Sequence, residues 1–193
     1  QEAVLGGTED RELFAGWLAL ASEEDSGEVL KHIESGSPKA KYLSGLAQGR
    51  GGDSALAESL LIEAAEGLEG SLNALDQWMA PRAFAAAARY GASEHRHVQA
   101  ERALELGPVD PVVLVDLGWY HDSLGDREQA AYFFDLVDGV GRDSAISHFN
   151  RGWVFLDYGD KQVRTKASWI RYRDLKPSGP RAERVTRQLF ELY

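Results

Sequence analysis

The sequence predicts an all-α protein built as an array of about four helical hairpins, with helical caps at both ends. Three observations point there. The stretch Leu114 to Phe134, LVDLGWYHDSLGDREQAAYFF, spaces Leu-x-x-Leu-Gly, Gly-Asp and Ala-x-x-x-Phe on a schedule that no single helix needs and no strand could keep. Its landmarks recur about 34 residues apart. The recurring residues are those that end helices, start them, or let two helices approach.

Gly118 and Gly152, Gly125 and Gly159, and Asp126 and Asp160 are each separated by 34 residues. Upstream, Gly45, Gly52, Asp53 and Ala57 precede Gly118, Gly125, Asp126 and Ala130 by 73, two periods plus five. A degenerate unit is therefore expected between them, ending in Ala103-Leu-Glu-Leu-Gly-Pro108. Pro177 closes the last unit 69 residues after Pro108.

Taken in order, residues 1–37 predict N-terminal helices. One starts at Thr8-Glu-Asp, with acids suited to the positive end of a helix dipole, and a shorter one spans Ser26 to Glu34. The hairpin units are then expected over 38–71, 77–110, 111–144 and 145–179, with Pro38 and Pro111 suited to helix starts. In the first, third and fourth, Gly-Asp is read as punctuation: the glycine closes one helix and the aspartate caps the next. Residues 180–193 start at Pro180 and place Ala182, Val185, Leu189 and Leu192 on one stripe, as a lid over the last apolar face. Arg181, Arg184 and Arg187 solvate its other side.

A 34-residue helix–turn–helix unit with Leu-Gly, a later Ala-x-x-x-Phe and a closing Pro resembles the tetratricopeptide repeat (TPR). The match is best in 111–144 and clear in 145–179, where one residue is inserted after the turn. Unit 38–71 lacks the closing Pro, and unit 77–110 departs most, with Phe84 where a small residue is usual and Arg96 where Ala is. The resemblance implies a right-handed α-solenoid whose first helices line a concave groove. It puts Trp78, Arg82 and Arg89, then Trp119, then Phe149, Asn150 and Trp153 on that inner face, with Asp157 at its end. The basic and asparagine set of the chaperone-tail "carboxylate clamp" subgroup does not appear at those positions.

Composition sets the outer limits. Hydrophobic residues at 44% and charged residues at 27% fit a globular chain. No apolar run approaches the ~18 residues of a membrane span. A net charge of −10 argues against nucleic acid, whose phosphates reward a basic face. The charge is uneven: −10 over residues 1–80, −6 over 81–160 and +6 over 161–193. An acidic front and a basic tail allow head-to-tail contact between copies, a route to a homo-oligomer. With no cysteine, thiolate chemistry and disulfides are excluded, and cytoplasm and bacterial periplasm fit equally. The chain begins at Gln1 without a Met, read as trimming or processing.

Sites for chemistry are scarce. The five histidines form no metal-ligand spacing; His95 and His97, two apart on a helix, point to different sides. Gly49-Arg-Gly-Gly-Asp53 lacks the Lys-Ser/Thr of a phosphate loop, and no serine sits in Gly-x-Ser-x-Gly. The expectation is thus a non-catalytic scaffold or adaptor without cofactor or metal, binding a peptide segment or partner helix. Trp119, Phe149 and Trp153 would anchor it, Asn150 would bond its backbone, and Arg82 and Arg89 would steer acidic groups. Self-assembly, or membership of a larger bacterial envelope or export assembly, is the alternative.

Overall fold

The computed structural model describes Ile33 and residues 36–140, 145–156 and 162–193. Among these the secondary structure is helix without strand, in nine α-helices. The expected N-terminal helices (Ile33 apart), the Gly159–Asp160 turn and Asp157 lie outside the described residues.

The chain divides into two compact units, the boundary falling between Pro108 and Val109. The first holds α1 (Pro38–Gly51), α2 (Ser54–Glu69), α3 (Ala74–Tyr90) and α4 (Arg96–Leu106). The second holds α5 (Pro111–Ser123), α6 (Arg127–Gly139), α7 (Ala145–Leu156), α8 (Gln162–Leu175) and α9 (Pro180–Glu191). Helix α3 begins at Ala74, three residues before the boundary that the register predicts, because Asn73 accepts from the Leu75 N–H at 2.9 Å and starts the helix there.

The Gly-Asp punctuation acts as the sequence predicts. Gly52 and Gly125 have φ of 92° and 78°, the left-handed region in which a Cβ is penalised. At both turns the aspartate N–H bonds a carbonyl five residues back, Asp53 to Gln48 and Asp126 to His121, each at 3.0 Å. The same aspartates then cap the next helix, Asp53 accepting from Leu56 N–H at 3.1 Å and Asp126 from Gln129 N–H at 3.2 Å. Pro38, Pro111 and Pro180 stand in the first turns of α1, α5 and α9, where a missing N–H costs nothing.

Within three hairpins a glycine of the first helix meets a large side chain of the second: Gly45 meets Leu61, Gly118 meets Phe134 and Gly152 meets Trp169. The partner lies sixteen residues on in the first two and seventeen in the last, so the inserted residue is absorbed as a one-residue slip. In the α3–α4 hairpin the sizes are reversed. Phe84 takes the glycine's register position, Ala100 the large one, and both are buried at 5% and 7% exposure. Close packing survives because one large and one small residue fill the layer whichever helix supplies them.

Candidate functional site

In the second unit the sequence-predicted aromatics form a wall along the first helices of two hairpins. Trp119 is half-buried on a cluster of Ala130, Phe134 and Val154, its ring edge-on to Phe134 at 5.8 Å. Trp153, one repeat later, sits edge-on to Trp169 at 4.9 Å. The two tryptophans thus occupy equivalent places, each leaning on the large residue opposite its hairpin's glycine. Phe149 lies one turn before Trp153, with ring centroids 6.0 Å apart, and also meets Tyr172 at 5.3 Å. The Trp169 indole N–H donates to the Phe149 carbonyl at 3.3 Å, pinning α8 to this stretch of α7.

The lid reaches the wall from its other side. Ala182, Val185 and Leu189 of α9 are buried with Trp169 and Tyr172, and Phe149, Trp153 and Leu192 pack around them. The arginines opposite that stripe do more than solvate it. The Arg181 guanidinium stands 5.6 Å from the Phe149 ring centre, and Arg184 stands 4.2 Å from that of Trp153. The two pairs advance together along both helices, so α9 runs in the direction of α7, as the first helix of another unit would. Such contacts add about 0.5–2 kcal/mol each depending on exposure.

Beside Trp153 the lid leaves an open cleft of about 480 Å³, lined by Trp153, Pro180, Glu183, Arg184, Arg187 and Gln188. The Trp153 indole N–H is buried without a hydrogen-bond acceptor. Sequence reading missed this cleft. Its signal was the Arg184–Arg187–Gln188 face three and four residues apart, opposite the apolar stripe.

Asn150 is placed differently from the groove position that the repeat register gives it. At 3% exposure it shares a helical stripe with Ser147 and Val154, at 0% and 3%, and its amide is not offered to the surface. Nearby, a polar network ties α6, α7 and α8 together. The Arg151 guanidinium bonds the Asp135 carboxylate, Asp138 at 3.3 Å and Ser168 Oγ at 3.1 Å, and donates to His148 Nδ1 at 2.8 Å. Burial pushes the His148 imidazole below its usual pKa; Asp138 opposes that fall and Arg151 adds to it. The His148 Nε2 faces Asp138 at 3.8 Å. The members of this network bond one another and so hold the three helices together.

The first unit carries the remaining predicted residues. Trp78 is 46% exposed, with the Arg82 guanidinium 3.3 Å from its ring centre. Arg89 lies 4.6 Å over Tyr90. Arg82 and Arg89 therefore each cover an aromatic ring of their own helix. Among the described residues no group of three or more His, Cys, Asp or Glu side chains is disposed to hold a metal. None of the described helices is long and apolar enough to cross a membrane.

Neither a protein-family model nor a curated protein matches the chain. Solved structures do. A thermophilic TPR protein of Thermus thermophilus matches with a TM-score of 0.68 and 16% identity, covering 94% of this chain and 99% of that one. YrrB, a TPR protein with an unusual peptide-binding site, matches at 0.51 and 16%, covering 96% and 95%. MamA from Desulfovibrio magneticus matches at 0.51 and 13%, covering 90% and 98%. At such identities the likeness concerns the fold, and the fold is that of the tetratricopeptide repeat.

Proposed function

We propose that this tetratricopeptide-fold chain is a non-catalytic scaffold that holds a peptide segment or partner helix along the first helices of its hairpins. The observation that favours this reading is the repeated pair Trp119 and Trp153. Each is half-buried, braced from behind by Phe134 or Trp169, and keeps part of its ring at the surface. Braced aromatics lose little entropy on binding and are the residue type most often found as interface hot spots. Phe149 extends the wall, and Trp78 with Arg82 offers a second aromatic–cationic surface in the first unit. The peptide-binding site of the structural neighbour YrrB agrees with this class of partner.

The test is to isolate a partner by crosslinking, then measure its affinity for wild type, Trp119→Ala and Trp153→Ala beside their unfolding curves. Lost binding with near-native stability supports the scaffold reading. A loss of about 3–5 kcal/mol of folding stability would mark the rings as core and move the binding face elsewhere. Self-association is a second reading, favoured by the contrast between −10 over residues 1–80 and +6 over 161–193. Oligomers driven by it should dissociate as salt shortens the screening length, which light scattering reads directly.

A further inference from the structure

We infer that the cleft between α7 and α9 is a recognition site for a glutamate- or aspartate-containing peptide segment. The inference rests on the scaffold reading and gives it a partner chemistry. Its first ground is the lining. Arg184 and Arg187 stand three residues apart on α9, Gln188 follows, and all three line the same cleft. Two guanidiniums on one wall suit a carboxylate, which an arginine fork binds with paired, charge-assisted hydrogen bonds. Across from them Trp153 supplies flat apolar surface for the methylenes of an acidic side chain, and Pro180, at the start of α9, adds to it.

The second ground is the field around the site. Residues 161–193 carry nine basic and three acidic residues, whereas residues 1–160 carry twelve and twenty-eight. An acidic segment is repelled by most of this chain and drawn to its C-terminal region, so charge supplies an address as well as affinity. The third ground is Glu183, the single acid of the lining. It would repel a compact free anion seated among the same arginines. A peptide answers it, since the backbone that presents the carboxylate also presents N–H donors. The cleft thus matches a mixed set of acceptor, donor and apolar stem. Association would move Arg184 from the Trp153 face toward the bound carboxylate and place new atoms against the indole.

The experiment uses the full chain and two fluorescein-labelled peptides, one alternating glutamate with alanine and one with each glutamate replaced by glutamine. Anisotropy should show the glutamate peptide binding at least about tenfold tighter than its counterpart, a difference of about 1.4 kcal/mol. Arg187→Gln should remove most of that preference while leaving the melting temperature unchanged, and Arg184→Gln should remove it with a small fall in melting temperature from the lost Trp153 contact. The indole N–H resonance of Trp153, assigned by its loss in Trp153→Phe, should shift on titration with the glutamate peptide. Equal binding of both peptides, full affinity in the arginine variants, an unmoved Trp153 resonance, or displacement by inorganic phosphate would each overturn the assignment. So would absence of binding at about 1 mM peptide, an affinity too weak to matter. If a crosslinked partner still depends on Trp119 in that case, this inference falls and the scaffold reading stands. Loss of both dependences removes the two together.

Discussion

In the first unit the helices meet across alanines, with Ala57, Ala64, Ala65, Ala80, Ala83 and the run Ala85 to Ala88 all at 2% exposure or less. In the second they meet across rings: Phe133, Phe134, Phe155, Trp169 and Tyr172 are buried, and Trp119, Phe149 and Trp153 lean on them. The same hairpin recipe is filled in two ways. Alanine lets backbones close up and leaves little relief. Rings hold backbones apart, present faces and edges, and leave a cleft where the lid cannot fill the step beside Trp153. The chain's capacity for selective contact therefore follows from side-chain size more than from helix order.

The contrast can be broken most severely at the lid. Deleting residues 180–193 uncovers Trp169 and Tyr172, now at 0% and 5% exposure. The truncated chain should aggregate or lose its cooperative transition, since a terminal unit without its cap exposes a core stripe. A soluble, equally stable truncation would show the segment to be dispensable.

Enlarging an alanine tests the other unit. Ala86→Leu inserts a branched side chain into α3, a helix that packs on α1, α2 and α4, at a residue with no exposed surface. A loss of about 1–3 kcal/mol is expected in denaturant unfolding. Leu at Ala131, 4% exposed in the aromatic unit, should cost less if ring packing leaves more slack. Equal costs would erase the distinction.

Capping should not respect the contrast. Asp53→Ala and Asp126→Ala each remove an N-cap and should cost about 0.5–2 kcal/mol, by similar amounts in the two units. Unmoved denaturation midpoints would mean that water replaces the carboxylates fully.

The smallest effect separates the units by pH. In the second, burial lowers the pKa of His121 and His148 below 6.5. As pH falls below that value the unfolded chain takes up protons that the folded unit refuses, so stability declines toward the lowered values. In the first, Glu58 is raised by burial but, more strongly in sum, lowered by bonds from Ser93 Oγ and the Ser93 and Ala92 N–H groups. Its contribution is held above pH 4.5 and is lost only as pH falls through the lowered pKa. Melting temperature should therefore begin to drop below about pH 6.5, and His121→Phe should flatten that drop. A flat profile down to pH 5 in the wild type would contradict the assignment.

Much of the fold was legible because its signals are local. Gly52-Asp53 and Gly125-Asp126 announce a turn and a cap within two residues, and the spacing from Gly118 to Phe134 announces a close pair within one hairpin. The start of α3 was less legible: Asn73 sets it, while the reading followed the repeat register. The site was legible in part. A period of 34 identifies Trp119 and Trp153 as equivalent, but only packing shows them braced from behind. Asn150 went inside because its stripe runs through Ser147 and Val154. The cleft escaped notice because it depends on how far α9 stands from α7, a distance that no spacing along the chain encodes.

The order in which the helices pack has a kinetic consequence. Most of the close helix–helix pairs within each unit join consecutive helices; α1 with α3, and α7 with the lid α9, skip one. Loop closure is then short at almost every step, and chains rich in such contacts fold within microseconds to milliseconds. The Glu58 clamp on Ala92 and Ser93, spanning 34 and 35 residues, is among the longer closures in its unit. Glu58→Gln should therefore hasten unfolding while leaving the folding limb of the chevron nearly unmoved, as expected of a contact made after the rate-limiting step.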